Sequence, residues 1–120
     1  MQNLVTVLSN EDGIQIFLDV QQDVVLQIGE AMQEIQEEAY MNGENWAIFF
    51  QYYLEQYAPD LLEGLESDAE AGMYAAYYET ATPENYRKAM QLADLLNALL
   101  AHPEQIYQIL RTTEDEIEWD

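Results

Sequence analysis

Residues 42–57 read Asn-Gly-Glu-Asn-Trp-Ala-Ile-Phe-Phe-Gln-Tyr-Tyr-Leu-Glu-Gln-Tyr, and no other stretch limits the fold so tightly. Trp46, Phe49, Phe50, Tyr53, Leu54 and Tyr57 recur at steps of three and four, the spacing that lines one side of an α-helix. Aromatic rings each remove a large area from water, so a helix with this face has to be packed against the rest of the chain. Asn42-Gly43 ahead of it is a turn signal, Asn42 or Asn45 suits the cap, and Pro59 stops it.

Around this helix the chain alternates between two periodicities. Residues 4–8 and 14–20 are apolar and β-branched, and Ser9-Asn10-Glu11-Asp12-Gly13 between them is a cluster of turn formers, which predicts an antiparallel hairpin. Ile14, Ile16 and Leu18 share one face of the second strand. Phe17 lies on the other face and breaks a clean inside/outside alternation, so both faces are expected to be partly covered. A helix capped by Asp23 and running to Tyr40 carries Val24, Ile28, Met32, Ile35 and Ala39 along one stripe. Its other side holds Glu30, Glu34, Glu37 and Glu38. Acids near a helix C-terminus oppose the dipole, so helix stability does not explain them.

Past the aromatic helix, residues 60–66 read as a short helical turn and 72–79 as a third strand. Small alanines between large tyrosines there suit a strand crossed closely by a helix. Thr82-Pro83-Glu84 combines a cap, a proline at the first position and an early acid, and starts a helix to Ala101 that buries Tyr86, Met90, Ala93, Leu96 and Leu100. His102-Pro103-Glu104 restarts a short helix to about Arg111, with Ile106, Ile109 and Leu110 inward. The acidic tail, 114–120, surrounds Ile117 and Trp119 and is expected as an edge strand or a docked tail. The order β-β-α-α-β-α-α predicts an α+β fold: one domain, 1–120, with a small, mostly antiparallel sheet packed with about four helices.

Composition decides which functions remain. The 120 residues include 24 Asp and Glu against 3 Lys and Arg, a formal charge of −21, and no base precedes Arg87. Such a field disfavours nucleic acid and anionic membrane and favours a basic protein. Solubility in a crowded or salty medium is the structural alternative. The chain has no cysteine, which removes disulfides and thiolate chemistry. No signal peptide and no apolar run of bilayer length are visible, so a cytoplasmic location is the expectation. The single histidine, His102, precedes a proline, where helix caps occur. Asp68 and Glu70 offer oxygen ligands, but the calcium-loop spacing is missing. No phosphate loop and no nucleophile–base pairing stand out. The expectation is a non-catalytic binding protein without metal or cofactor.

Tyrosines supply the remaining signal. Tyr53, Tyr57 and Tyr86 read as core residues whose hydroxyls reach the surface. Tyr52, Tyr74 and Tyr78 fall off the main faces, and exposed tyrosine beside carboxylates has the makeup of a binding hot spot.

Two segments carry a resemblance. Asn42-Gly43-Glu44-Asn45-Trp46 and, about two dozen residues later, Asp68-Ala69-Glu70-Ala71-Gly72-Met73-Tyr74 are similar to the paired motifs of the immunity protein 51 family of bacterial polymorphic-toxin systems. Members show Asn-Gly-x-x-Trp and Asp-Pro-Glu-Ala-Gly-Met-Phe; this chain has Ala69 for the proline and Tyr74 for the phenylalanine. The resemblance spans residues 42–78 and implies a small cytoplasmic protein that binds a cognate toxin domain and blocks it stoichiometrically. Immunity proteins of basic nucleases often mimic the phosphate array with carboxylates, and the acidity of this chain suits a basic toxin such as a nuclease. Candidate contacts are Glu34, Glu37 and Glu38 on the first long helix, Glu63, Glu66, Asp68 and Glu70 before the third strand, and Tyr52, Tyr74 and Tyr78. Two other readings stay open: a DNA mimic that inhibits a nucleic-acid enzyme, and an acidic structural or adaptor domain. The oligomeric state is not legible.

Overall fold

A computed structural model describes residues 4–113 and 116–120 of the chain. The expected hairpin forms from β1 (Val5–Asn10) and β2 (Gly13–Asp19). Helix α1 (Asp23–Ile35) and the aromatic helix α2 (Gly43–Tyr57) follow. A 3-10 turn (Pro59–Leu62) then leads into a second hairpin, β3 (Leu65–Ser67) and β4 (Met73–Tyr78). The chain ends with α3 (Pro83–Ala101) and α4 (Pro103–Thr112) and a short tail. The four strands make one antiparallel sheet in the order β1-β2-β4-β3. The α+β class and the order β-β-α-α-β-α-α hold. The structure adds β3, where a helical turn over 60–66 is expected from sequence. Gly64, at φ +81°, supplies the left-handed step between the 3-10 turn and β3 that a residue with a Cβ adopts only with strain.

Strand pairing fixes which side chains meet. Cross-strand partners Val5–Leu18, Val7–Ile16, Ile16–Ala76, Leu18–Tyr74 and Ile14–Tyr78 all lie on one face. Helices α2 and α3 contact the sheet, and Ile14, Ile16, Leu18, Tyr74, Ala76 and Tyr78 are buried. Phe50 of α2 meets Tyr74 of β4 edge-to-face at 4.9 Å between centroids, an arrangement that contributes about 0.5–1.5 kcal/mol beyond area burial. Trp46, Phe49, Phe50, Tyr53 and Leu54 are buried as the aromatic stripe requires. Tyr57, one turn further, is 63% exposed, its ring 4.8 Å from that of Tyr53. The core reading of Tyr57 is thereby corrected: the stripe runs off the end of the core.

Three other expectations need correction. Asp23 is the first residue of α1 and not its cap; Gln22 holds the cap position and makes no side-chain cap bond. The helix stops at Ile35, five residues short of Tyr40, because Gln36 is pulled into the interior. Its amide donates to Leu110 O (2.7 Å) and its carbonyl accepts from Trp119 Nε1 (2.9 Å). The buried row is Val25, Ile28, Gly29 and Met32, with Val24 exposed and Ala39 buried in the link that follows. In α3 the inward row is Ala89, Leu92, Ala93, Leu96, Leu99 and Leu100. Tyr86 (47% exposed) and Met90 lie to one side of it and are not core.

Residues 116–120 of the tail are docked rather than an edge strand, while 114 and 115 lie outside the described residues. Ile117 is buried, and Tyr52 Oη donates to Glu116 (2.7 Å). Among the described residues no helix is long and apolar enough to cross a membrane.

Tyr78 ties β4 to the 3-10 turn by donating to Leu61 O at 2.6 Å, and burial pushes its hydroxyl up to about 12. Tyr78→Phe leaves the Leu61 carbonyl without its partner, so we expect a loss of about 1–2 kcal/mol in urea unfolding at neutral pH. A group whose folded pKa is raised contributes stability below its unfolded value and loses it as pH rises to the folded one. The variant therefore falls less steeply than the wild type between pH 10 and pH 12. Equal slopes would count against this role.

Candidate functional site

The two motif segments, distant in sequence, meet at the start of α2. Asn42 Oδ1 accepts from the Asn45 N–H at 2.8 Å and caps the helix. The Gly43 N–H donates to Ala71 O at 2.8 Å, in the turn between β3 and β4. A Cβ on Gly43 collides with the carbonyl oxygens of Glu70 and Met73, so only glycine lets the helix start lie directly on the hairpin backbone. Asn45, wholly buried, uses both ends of its amide: Nδ2 donates to Tyr40 O (2.7 Å), and Oδ1 accepts from the Asp120 N–H (2.8 Å). One side chain thus holds the link before α2 and the tail together.

This junction sets a row of carboxylates. Hairpin register pairs Glu66 with Tyr77 and Glu70 with Met73, while the Asp68 N–H donates to Ala75 O (2.8 Å). Glu66, Asp68 and Glu70 therefore recur with the two-residue period of a strand along one margin of the sheet, all exposed. Beside them lies an open groove of about 720 Å³ whose acids are Glu44, Asp68, Glu118 and Asp120 and whose apolar part is Ala47, Ile48, Ala69 and Trp119. A hydrogen bond to the Asp120 carboxyl, then that group's charge and slight loss of hydration, raise the Glu44 carboxyl above its ordinary range. Carboxyls held this close suit an incoming cation, which relieves their repulsion.

Of the residues expected from sequence, Glu66, Asp68 and Glu70 are brought together. Glu63 is exposed just before them, and its main-chain carbonyl accepts from Lys88 Nζ at 2.6 Å. Glu34 stands on α1, and Glu37 and Glu38 lie in the link after it rather than on the helix; none of the three lines the groove. Tyr52 is half-buried, its hydroxyl engaged with Glu116. Tyr74 and Tyr78 are corrected: their side chains face α2 and the core, at 3% and 0% exposure, and offer a partner nothing. Burial raises the Tyr74 hydroxyl as it does that of Tyr78. Glu44, Glu118 and Asp120 were not expected in the site. The available signal was the alternation of acids with Ile117 and Trp119 in the tail.

Gly43→Ala is expected to cost about 1–3 kcal/mol, the range for overpacking a close contact, read as a lower urea midpoint. An unchanged midpoint would contradict the close approach. Glu44→Gln tests the carboxyl pair. In the wild type, the raised Glu44 carboxyl contributes stability at low pH that is lost as pH rises above 4.5 through its folded value. The variant is expected to lose less stability over that interval; superimposable pH profiles would rule the pairing out.

Comparison with known proteins bears on the whole fold. No curated protein and no solved structure matches the chain. The sequence model of the family described as Immunity protein 51 matches residues 5–115, which takes in both hairpins, all four helices and both motif segments. The chain belongs to the immunity protein 51 family.

Proposed function

We propose that the protein is a cytoplasmic immunity protein that binds a cognate toxin domain one-to-one and blocks its active or substrate-binding surface. Membership of an immunity family implies a toxin as the partner. The observation that carries the finer reading is the ordered row Glu66, Asp68 and Glu70, continued at Asp68 into the groove acids Glu44, Glu118 and Asp120. A fixed array of carboxylates with almost no bases in the chain suits a basic toxin such as a nuclease, whose substrate is itself a row of negative charges. Steering by that field speeds the encounter with a positively charged partner.

The direct test is co-expression with the toxin domain encoded beside the protein's own gene. The expected result is protection of the cells and a one-to-one complex on co-purification; continued toxicity with no complex would overturn the reading. Replacing Glu66, Asp68 and Glu70 together by Gln should lower the association rate on the order of tenfold at low ionic strength, with the difference shrinking in high salt. Should inhibition instead extend to unrelated DNA-binding enzymes in competition with DNA, general DNA mimicry is the better account.

A further inference from the structure

The side of the sheet turned away from α2 and α3 has no cover among the described residues. An antiparallel sheet with one face in water ordinarily places polar side chains on that face. Here the outward row at its centre runs Ala75, Phe17 and Thr6, the next runs Tyr77, Gln15 and Leu8, and Met73 lies beyond Ala75, beside Asp19. Leu8 is 54% and Met73 38% exposed; Phe17, Ala75 and Tyr77 are half-buried and stand apart from the core. Phe17 is the residue that broke the sequence alternation, and the fold gives it no packing partner across the sheet. Gln15 separates Leu8 from Tyr77, while Phe17, Ala75, Tyr77 and Met73 adjoin one another as an apolar patch, the kind of surface that marks interaction sites.

Charge selects the occupant. The margin of this face along β3 is the row Glu66, Asp68 and Glu70, and Asp19 pairs with Met73 at its far end. All three bases of the chain lie in α3 and α4, none on a strand. An aromatic and aliphatic centre bordered by carboxylates has the anatomy of a hot spot with a charged rim, and it fits a partner whose apolar patch is flanked by Lys and Arg. A second copy of this chain is disfavoured, since pairing the faces sets acid row near acid row in molecules of charge −21. Strands about 4.8 Å apart with about 3.3 Å per residue give the face roughly 300 Å². A stable interface takes about 800 Å² per partner. The groove lies round the same edge, on the α2 side, and meets the open face at Asp68, so a partner that wraps the edge gains its area as well.

We propose that the open sheet face, centred on Phe17, Ala75 and Tyr77, is the surface on which the basic toxin domain docks, with Glu66, Asp68 and Glu70 as its rim. This inference rests on the immunity reading and assigns its surface. The test measures binding of the purified, catalytically inactivated toxin domain encoded beside the gene to the wild type, F17T, Y77T, A75Q, Y57T and Y86T. Threonine keeps strand propensity and charge unchanged. F17T and Y77T are each expected to weaken binding about thirty-fold or more through faster dissociation, the loss that truncating a hot spot gives. A75Q sets a longer side chain into the middle of the face without touching the core, so it blocks docking even where a threonine variant loses its fold by circular dichroism. Y57T and Y86T, exposed on helices, should stay within about twofold of the wild type. Wild-type-like binding by folded F17T, Y77T and A75Q would overturn the sheet-face assignment while the immunity reading stands. Failure of the wild type itself to bind would overturn both.

Discussion

The start of α2 lies directly on the backbone of the β3–β4 hairpin, and the rest of the architecture depends on that approach. With hydrogen in place of a side chain, Gly43 lets its N–H reach Ala71 O at 2.8 Å, a distance that backbone collision denies to any larger residue. Once the helix start is seated, Trp46, Phe49, Phe50 and Tyr53 are buried, and Phe50 meets Tyr74 of the sheet. The neighbouring Asn45 then locks the tail by accepting from Asp120. A helix entry, a hairpin turn and a tail are fixed by two asparagines and a glycine.

The same junction explains why a protein with so much negative charge shows an ordered acidic margin rather than a diffuse one. Repulsion among 24 acids lowers stability, and the three bases offset little of it. The fold nonetheless places Glu66, Asp68 and Glu70 in register along one hairpin and holds Glu44 against Asp120 across a groove. Keeping like charges together has a cost in the free protein that a cationic partner, as proposed, would offset on binding. On the open side of the sheet Phe17 and Tyr77 stay half-buried, and the aromatic area they leave in water is lost to the core. Both departures from the best monomer meet along the β3 margin.

Much of the fold was legible because its signals are local. The hairpin turn at residues 9–13, the aromatic stripe and the Thr82-Pro83 start each report on neighbours in sequence, and each element stands where expected. Long-range contacts decided the remainder. Helix α1 ends where Gln36 reaches Leu110 and Trp119, 74 and 83 residues away, which no local pattern encodes. In β4 the two alternating sets, Met73/Ala75/Tyr77 and Tyr74/Ala76/Tyr78, are almost equal in apolar character. The period of two separated them but could not say which faces the helices, so Tyr74 and Tyr78 were expected at the surface and Tyr77 was passed over. Glu63, Glu66, Asp68 and Glu70 were legible as a group through closeness in sequence, but the two-residue row of Glu66, Asp68 and Glu70 needs β3, where a helical turn was expected; Glu44 joins from α2, and Glu118 and Asp120 through the docked tail.

Hydroxyl-radical footprinting of the toxin-bound protein tests the central claim most directly, since oxidisable side chains stand on both sides of the molecule. The account predicts that binding protects Phe17, Met73 and Tyr77, while Tyr57 and Tyr86, exposed on α2 and α3, react at their free rates. Protection of Tyr57 and Tyr86 with Phe17 and Tyr77 unchanged would contradict it.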